Sequence, residues 1–216
     1  EKKYLQKSGI KSSVKNTDLL FSLGKSIVLH DLTITEDFRC FKKDEKFEFR
    51  PGINFLVGDQ GCGKSTLIQL IRSTISPLQK QRCKITADPI TCLSKDFEKD
   101  NPRIQKDLDE SNQDRFNIGL RSIFSSHGEV VMAFIRPLKR IKEPTMLLVD
   151  EPDMALSIRS IFEMIRIFES IVEQKGQVIA AIHNPLLIQD RDVLSVADRK
   201  WMPGNEFIEK MKMEKK

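Results

Sequence analysis

The chain has 216 residues, of which 39% are hydrophobic and 31% are charged, and its formal net charge is +5. This length allows one substantial core, alone or with a small lobe, and argues against two large independent domains. No stretch approaches the roughly 20 consecutive apolar residues that a membrane-spanning helix requires, so we expect no transmembrane segment. The positive charge permits contact with nucleic acid without requiring it.

The first residues and the cysteines indicate a reducing, cytoplasmic location. A chain that begins with Glu1 is expected to be a processed or trimmed product, and nothing near it has the charged, apolar and small-residue layout of a secretion signal. Cys40, Cys62, Cys83 and Cys92 show neither CxxC pairing nor histidines at metal-ligand spacing. We therefore predict reduced packing residues rather than disulfides or metal ligands.

The chain begins with a basic arm and continues into a strand-rich segment. Residues 1–25 contain six lysines and two acidic residues with little periodicity, which predicts a flexible or partner-bound arm. From residue 26 the pattern changes to short apolar runs, and Pro51-Gly52 marks a turn before the run Ile53 to Val57. This pattern predicts an N-terminal antiparallel β segment that leads into a strong central strand.

A helix and a polar stretch follow the central strand. Lys64 to Ile75 has the apolar periodicity of a helix, and Ser76-Pro77 is expected to end it. Residues 85–94 resemble one or two strands. The polar and charged stretch from about residue 100 to 140 predicts a small helical lobe.

The second half of the chain alternates strands with a helix. Strands are predicted at Thr145 to Val149 and at Gln177 to Ile182. The helix between them is predicted to be amphipathic and carries seven apolar residues: Ile158, Ile161, Phe162, Ile165, Phe168, Ile171 and Val172. Such alternation predicts an α/β fold with a mostly parallel central sheet. We assign residues 26–204 to this domain and residues 205–216 to a charged C-terminal tail.

A glycine-rich loop joins the central strand to the first helix. It fits the phosphate-loop template GxxxxGK[ST] at every fixed position and consists of Gly58, Asp59, Gln60, Gly61, Cys62, Gly63, Lys64 and Ser65. The glycines let backbone N–H groups turn toward phosphates, and the helix points its positive end at them. We expect Lys64 to neutralise the β and γ phosphates of ATP, Ser65 to bind Mg²⁺, and Thr66 to reach the α-phosphate. Because motif, strand and helix agree, a chance glycine-rich turn is the weaker interpretation.

Two carboxylates follow the apolar run Met146 to Val149. Asp150 should lie at the carboxyl end of a buried strand beside the phosphate loop, where it can hold the Mg²⁺ shell. Glu151 is then placed to orient and deprotonate the attacking water, so we predict it as the catalytic base. An acidic turn after a strand is common by itself, and the nearby phosphate loop decides the interpretation.

Between about Leu32 and Ala197 the chain resembles the ABC ATPases, in particular their soluble RecF-like and SMC-like branch and the small ATPases of bacteria and their viruses. The resemblance rests on the phosphate loop, Asp150-Glu151-Pro152, Ala155-Leu156, His183 and a segment described next. It implies a P-loop NTPase that binds Mg-ATP and closes as an ATP-dependent, head-to-tail homodimer.

The segment Ser125 to Glu129 resembles the LSGGQ signature of this family, which touches the γ-phosphate bound by the opposite subunit. Ser126 matches the signature serine and Gly128 the second glycine, whereas Ser125 replaces the leucine and His127 the first glycine. The resemblance implies that Ser126 and Gly128 complete the nucleotide site of a second subunit. A simple helix cap is the alternative.

Further positions follow from the same resemblance. His183 stands where the family places a switch histidine that bonds the γ-phosphate. Phe38 to Phe41 resembles the opening strand of SMC-like ATPases, so Arg39 is a candidate nucleotide contact, with an exposed strand arginine as the alternative. Ala155-Leu156 resembles the dimer-contacting loop, although Ser157 stands where an aspartate is usual.

One family element has no single candidate in this sequence. The family places a glutamine that couples the Mg²⁺ site to the helical lobe after the strands near residues 85–94. Gln105 is the nearest glutamine, and Asp96 or Glu98 could occupy the same place. The three alternatives stay open here.

Three classes of function remain. The resemblance and the basic balance favour a soluble ATPase in nucleic-acid transactions such as DNA repair or defence. A nucleotide-binding subunit of a membrane transporter is weakened by the sixty residues that separate Ser65 from Ser126, a short spacing for that class. An ATP-sensing module that acts on an additional protein subunit is disfavoured by the intact Glu151. The basic runs at residues 42–46 and 139–142 are predicted as solvated faces, with nucleic-acid contact as the alternative.

Overall fold

The computed structural model describes residues 28–75, 80–88, 91–97 and 126–213. The basic arm, Ser125, Glu98, Gln105 and lobe residues 100–125 therefore lie outside the described residues. The predictions made for them stay predictions.

The described elements alternate strands with helices, as the sequence predicts. In chain order they are β1 (Leu29–Ile34), β2 (Lys46–Glu48), β3 (Gly52–Val57), α1 (Lys64–Ile75), β4 (Cys83–Ala87), β5 (Cys92–Asp96), α2 (His127–Leu138), β6 (Met146–Asp150), α3 (Ile158–Glu173), β7 (Gln177–Ala181), β8 (Asp192–Ser195), β9 (Lys200–Pro203) and α4 (Gly204–Met213). A 3-10 turn, Pro185–Leu187, lies between β7 and β8. Among the residues placed here, no helix is both long enough and apolar enough to cross a lipid bilayer.

Two sheets carry the fold. The central sheet has the strand order β5-β6-β7-β3-β8-β9, in which the first five strands run parallel and β9 pairs antiparallel with β8. A smaller antiparallel sheet has the order β2-β1-β4. The predicted α/β class, with a mostly parallel central sheet and an N-terminal antiparallel segment, is confirmed. Residues 85–94 divide between the two sheets, because β4 joins the small sheet and β5 the edge of the large one.

The core fills both faces of the central sheet. Because β6 is covered on both sides, all of its residues are buried, and its apolar side chains alternate between two clusters. Leu147 and Val149 pack with α2 and α3, whereas Met146 and Leu148 pack with α1 and the small sheet. Full burial of one such side chain stabilises the fold by roughly 1.5–3 kcal/mol.

Helix α3 is amphipathic, as the sequence predicts. Its buried residues are Ile161, Met164, Ile167, Phe168 and Ile171, and the predicted apolar residues Ile165 and Val172 pack against the same core. Ile158 and Phe162 are the exceptions among the seven apolar residues, since they are 62% and 59% exposed. Periodicity alone does not decide where the buried stripe of such a helix ends.

The segment assigned from sequence to a charged tail includes helix α4. Phe207 is buried against the main core, and the Lys210 ammonium donates to both carboxylate oxygens of Asp198 at 2.7 Å. The helix begins at Gly204, where a Cβ would overlap the carbonyl oxygen of Ile188. The backbone approaches so closely there that only glycine fits.

Parallel strands bring the functional segments to one edge of the sheet. Strand β7 lies between β3 and β6, and Ala181 is in register with both Leu56 and Asp150. The residues that follow these three strands therefore meet at the same edge. Ligands of open α/β sheets bind at the carboxyl ends of the strands.

Candidate nucleotide site

The phosphate loop leaves β3 and turns into α1 through three glycines with positive φ. Gly58, Gly61 and Gly63 have φ angles of 149°, 82° and 107°. A Cβ on Gly63 would lie 2.5 Å from the Cys40 sulfur, and one on Gly58 would overlap the Cys62 sulfur. Glycine at these positions lets the backbone curve into a cradle that side chains would fill.

Lys64 closes this cradle from inside. Its side chain is almost fully buried, and Nζ donates to the carbonyl oxygens of Gly58 at 2.8 Å and Asp59 at 3.2 Å. The ammonium group and the first N–H groups of α1 thus face the same small space. A lysine charge and a helix N-terminus together suit a phosphate group, as the sequence predicts.

Ser65 and Asp150 join the first turn of α1 to the end of β6. The Ser65 hydroxyl lies 3.2 Å from Oδ1 of Asp150, to which it donates, and the aspartate is 5% exposed. Hydroxyl and carboxylate oxygens are ligands that Mg²⁺ accepts, with waters and phosphate oxygens in the remaining positions. No cluster of three or more His, Cys, Asp or Glu side chains forms a metal cage within the described segments. The pair therefore fits a Mg²⁺ site shared with a nucleotide.

Asp96 lies next to this pair. It is the last residue of β5, it is in register with Asp150, and it is also 5% exposed. Of the three residues considered for the glutamine position, Asp96 is the one within the described residues. Two neighbouring buried carboxylates favour a cation close to them.

Glu151 and His183 face each other across the loops that follow β6 and β7. Glu151 Oε1 lies 3.0 Å from His183 Nε2, and the Glu151 backbone N–H donates to Ala181 at 3.0 Å. The direction of this hydrogen bond depends on the histidine tautomer: with a proton on Nε2, the histidine donates to the carboxylate. Glu151 has a left-handed φ of 53°, which a non-glycine residue seldom adopts. Such strain in a turn after a strand is common at functional sites.

Asp153 belongs to the same constellation, although the sequence reasoning missed it. One of its oxygens, Oδ2, accepts the backbone N–H of His183 at 2.8 Å and that of Asn184 at 2.6 Å. The side chain is only 7% exposed. The available signal in the sequence was a third acidic residue within the four positions from Asp150 to Asp153. The motifs for phosphate and Mg²⁺ binding do not include that position.

Arg39 is brought to the start of α1. Its Nη1 donates to the Thr66 hydroxyl at 3.3 Å, and its backbone has a left-handed φ of 55°. The segment from Phe38 to Phe41 is a tight turn closed by one isolated bridge, so its resemblance to an opening strand does not hold. The first strand of the described chain is β1 instead.

The signature-like segment forms the start of α2. Ser126 is the N-cap: its hydroxyl accepts the N–H of Glu129 at 3.3 Å, and the Glu129 carboxylate accepts the Ser126 N–H at 2.6 Å. Gly128 packs against the loop after β6, because a Cβ there would lie 2.5 Å from the Ala155 carbonyl oxygen. The helix cap that the sequence offers as the alternative is therefore present, and the Ser126 carbonyl oxygen also accepts the N–H of Val130 at 3.2 Å.

A cavity of about 390 Å³ lies beside the phosphate loop. Asp59 and Gln60 of the loop line one side, and Phe207 and Met211 of α4 line the other. The described C-terminal helix therefore borders the nucleotide site.

The cysteines differ in their surroundings. Burial raises the pKa of Cys83 to about 11 and that of Cys92 to about 12, so both stay protonated at neutral pH. Burial also raises the pKa of Cys62, in part offset by the Lys64 charge. Cys40 is exposed, unlike the packing residue that the sequence predicts, and its sulfur lies 3.7 Å from the Cys62 carbonyl oxygen.

Comparison with known proteins places this geometry in a family. A family model described as AAA domain matches residues 34–203. No curated protein sequence matches the chain. A chain from an inward-facing structure of a metal-chelate type ABC transporter superposes with a TM-score of 0.52 at 16% identity, and the match covers 85% of both chains. UvrA2 from Deinococcus radiodurans has a TM-score of 0.52 at 12% identity, over 87% of this chain and 36% of UvrA2. At these identities the likeness shows the fold alone.

Proposed function

Since the chain belongs to the AAA-domain family and has the fold of an ABC-type P-loop ATPase, we propose that it hydrolyses ATP with Mg²⁺ and that two copies close head to tail around the nucleotide. One observation carries this proposal. The phosphate loop with Lys64, the Ser65–Asp150 pair and the Glu151–His183 pair meet at one edge of the parallel sheet.

The chain's own residues divide the work of binding. Lys64 and the backbone N–H groups of residues 58–65 hold the phosphates, with Arg39 and Thr66 at the start of α1 beside them. Ser65 and Asp150 would hold Mg²⁺, and Asp96, which is in register with Asp150, would be a further carboxylate beside them. Bound Mg²⁺ would neutralise charge that develops on the phosphate oxygens.

Glu151 is placed to deprotonate the attacking water. His183 donates to Oε1, which orients the carboxylate and leaves Oε2 to accept a proton from water. In this proposal the γ-phosphate is held by His183 of one copy and by the signature serine, Ser126, of the other. Loss of the γ-phosphate after hydrolysis removes both contacts. The dimer then opens, as in other switches that a γ-phosphate holds closed.

The partner copy contributes the start of its α2 helix. Ser126 is exposed at that helix N-terminus, and Gly128 lies within the first turn. A hydroxyl group and the backbone N–H groups of a helix start form an anion-binding end, which suits the γ-phosphate of the opposite copy.

Paired measurements of ATP binding and hydrolysis test the site. Wild type should bind ATP and hydrolyse it with Mg²⁺ but not with a chelator. Lys64→Ala should lose binding, whereas Glu151→Gln should bind ATP normally and hydrolyse it at least about 100-fold more slowly, because it lacks the base. Glu173→Gln is the matched control, since this glutamate is exposed near the far end of α3. Equal hydrolysis by Glu151→Gln and wild type would contradict the proposal.

We further propose that the ATP cycle serves a nucleic-acid transaction such as repair or defence. The net charge of +5 favours a polyanionic partner. Lys139, Arg140 and Lys142 are exposed directly after α2, the helix that starts at the signature-like segment. A phosphate backbone held there would lie at the C-terminal end of α2, whose N-terminal end is proposed to contact the nucleotide of the second copy.

A further inference from the structure

We propose that Asp153 is a positioning residue that acts through His183, holding the histidine backbone so that its ring meets Glu151. This inference rests on the proposed function, because it gives the Glu151–His183 pair its catalytic meaning. Asp153 itself touches neither water nor phosphate in this account.

Asp153 bonds two neighbouring backbone groups of the loop that follows β7. A single carboxylate oxygen, Oδ2, accepts two successive backbone N–H groups, those of His183 and Asn184, at 2.8 and 2.6 Å. Hydrogen bonds to an ionised acceptor are shorter and stronger than those between neutral groups. Two such bonds from adjacent residues fix the chain direction at the point where it leaves the sheet.

Asp153 holds the backbone at the point where the strand ladder of β7 ends. The backbone of Ile182 still donates to Leu56, and beyond it the chain departs from the strand ladder. After Asn184 the chain is fixed again, because the Asn184 side chain accepts the N–H of Leu186 at 3.0 Å and caps the 3-10 turn. His183 therefore sits between two anchors, and Asp153 supplies the first of them.

The second oxygen of Asp153 takes no part in holding the loop after β7. Oδ1 is buried and has no hydrogen-bond partner among the described atoms. Native proteins satisfy most buried polar atoms, and exceptions concentrate at functional sites. The contact of Asp153 with the loop after β7 is therefore made by Oδ2 alone, through its bonds to His183 and Asn184.

Asp153 also belongs to the loop that carries Glu151. That loop is tied to β7 by the Glu151 N–H bond to Ala181, and within itself by the Leu156 N–H bond to the Asp153 carbonyl. One short loop thus positions both members of the pair: Glu151 by its own backbone, and His183 by the Asp153 side chain.

A double-mutant cycle on hydrolysis tests the link. Asp153→Ala should lower kcat at least about tenfold and change the KM for ATP less than about threefold, and His183→Ala should lower kcat to a similar extent. The double variant should be no slower than His183→Ala alone, because the first residue acts through the second. Asp153→Asn keeps an amide oxygen that can accept both N–H groups, so it should retain more than about a third of the wild-type kcat.

A second measurement does not depend on hydrolysis. The protein has three histidines, so the imidazole proton signals of His183 can be assigned with His183→Ala and followed by NMR. Asp153→Ala should move the His183 signals and leave those of His30 unchanged, and Asp153→Asn should move them much less. Thermal unfolding of each variant verifies that it is folded.

The outcomes separate the two proposals. Full additivity of the two kcat losses, wild-type kcat in Asp153→Ala, or an unchanged His183 signal in that variant would each overturn the positioning role. A wild-type protein that binds no ATP or hydrolyses none would overturn the proposed function, and the His183 signals would still decide whether Asp153 positions the ring.

Discussion

Ser126 is a helix N-cap, and the proposed function gives its hydroxyl group a second role. As N-cap it accepts the Glu129 N–H, and as signature serine it is proposed to meet a phosphate of the second copy. Gly128 is a poor place to test the second role, because a Cβ there would press on the Ala155 carbonyl oxygen at 2.5 Å and disturb packing.

Ser126→Asn and Ser126→Asp form a matched pair that differs by one charge. Asn, Asp and Ser cap helices about equally well, so both variants should melt within a few degrees of wild type. The aspartate would face the γ-phosphate, and like charges across an interface cost several kcal/mol. We therefore expect Ser126→Asp to weaken the ATP-dependent dimer at least about tenfold relative to Ser126→Asn, as measured by analytical ultracentrifugation. Equal dimer affinities would remove Ser126 from the interface.

Single residues were predictable wherever a template fixed them. Lys64, Ser65, Asp150 and Glu151 lie where the phosphate-loop spacing and the acidic strand end place them. Asp153 was not predictable, because its role depends on two backbone N–H groups thirty residues away in sequence that only the parallel sheet brings near.

Elements were predictable where one periodicity dominates. The unit β3, phosphate loop and α1 has the predicted order, and α1 has the predicted bounds. The amphipathic helix α3 was predictable, but the exposure of Ile158 and Phe162 was not, because periodicity does not decide where the buried stripe ends. Helix α4 was not predicted, because lysines and glutamates dominate its sequence and its apolar face is short. Burial of Phe207 holds this helix against the core.

An ion pair anchors α4 to the turn between β8 and β9, and its strength should depend on pH. Lys210 and the Ser195 hydroxyl hold the pKa of Asp198 below its usual value. A carboxylate whose pKa is lowered on folding stabilises the protein above its unfolded pKa, and this contribution is lost as the pH falls through the lowered value.

Asp198→Asn should therefore lower the melting temperature at pH 7 by about 2–4 °C, which corresponds to roughly 1 kcal/mol for a domain of this size. The difference from wild type should shrink as the pH falls below about 4. Glu209→Gln is the control, because the exposed Glu209–Lys212 pair should contribute nothing measurable. A difference for Asp198→Asn that is as large at pH 3 as at pH 7 would exclude the charged anchor.

At the scale of the whole molecule, the exposed cations after α2 are the proposed contact with nucleic acid. If Lys139, Arg140 and Lys142 hold a phosphate backbone, replacing all three by glutamine should weaken DNA binding and lower the slope of log affinity against log salt by about 2 to 3. Fluorescence anisotropy of a labelled duplex at several salt concentrations gives this slope. The same charge change at Lys42, Lys43 and Lys46 is the control, and an equal loss there would exclude a specific patch.

The α/β architecture and the edge where the site lies were predictable, because alternating strands and helices with a phosphate loop leave few arrangements. The arrangement of two copies was not predictable from periodicity, since an interface that forms only with nucleotide has no strong apolar pattern. The expectation of a dimer comes from the resemblance of Ser125 to Glu129 and of Ala155-Leu156 to motifs of the ABC ATPases. The dimer is therefore part of the proposed function.

The mass of Glu151→Gln in solution tests closure around nucleotide most directly. Light scattering coupled to size exclusion should show a monomer without nucleotide and with Mg-ADP, and a dimer with Mg-ATP, because the variant binds ATP without hydrolysing it. Lys64→Ala should stay monomeric in every condition. A Glu151→Gln protein that binds Mg-ATP and remains a monomer at micromolar concentration would contradict the head-to-tail account.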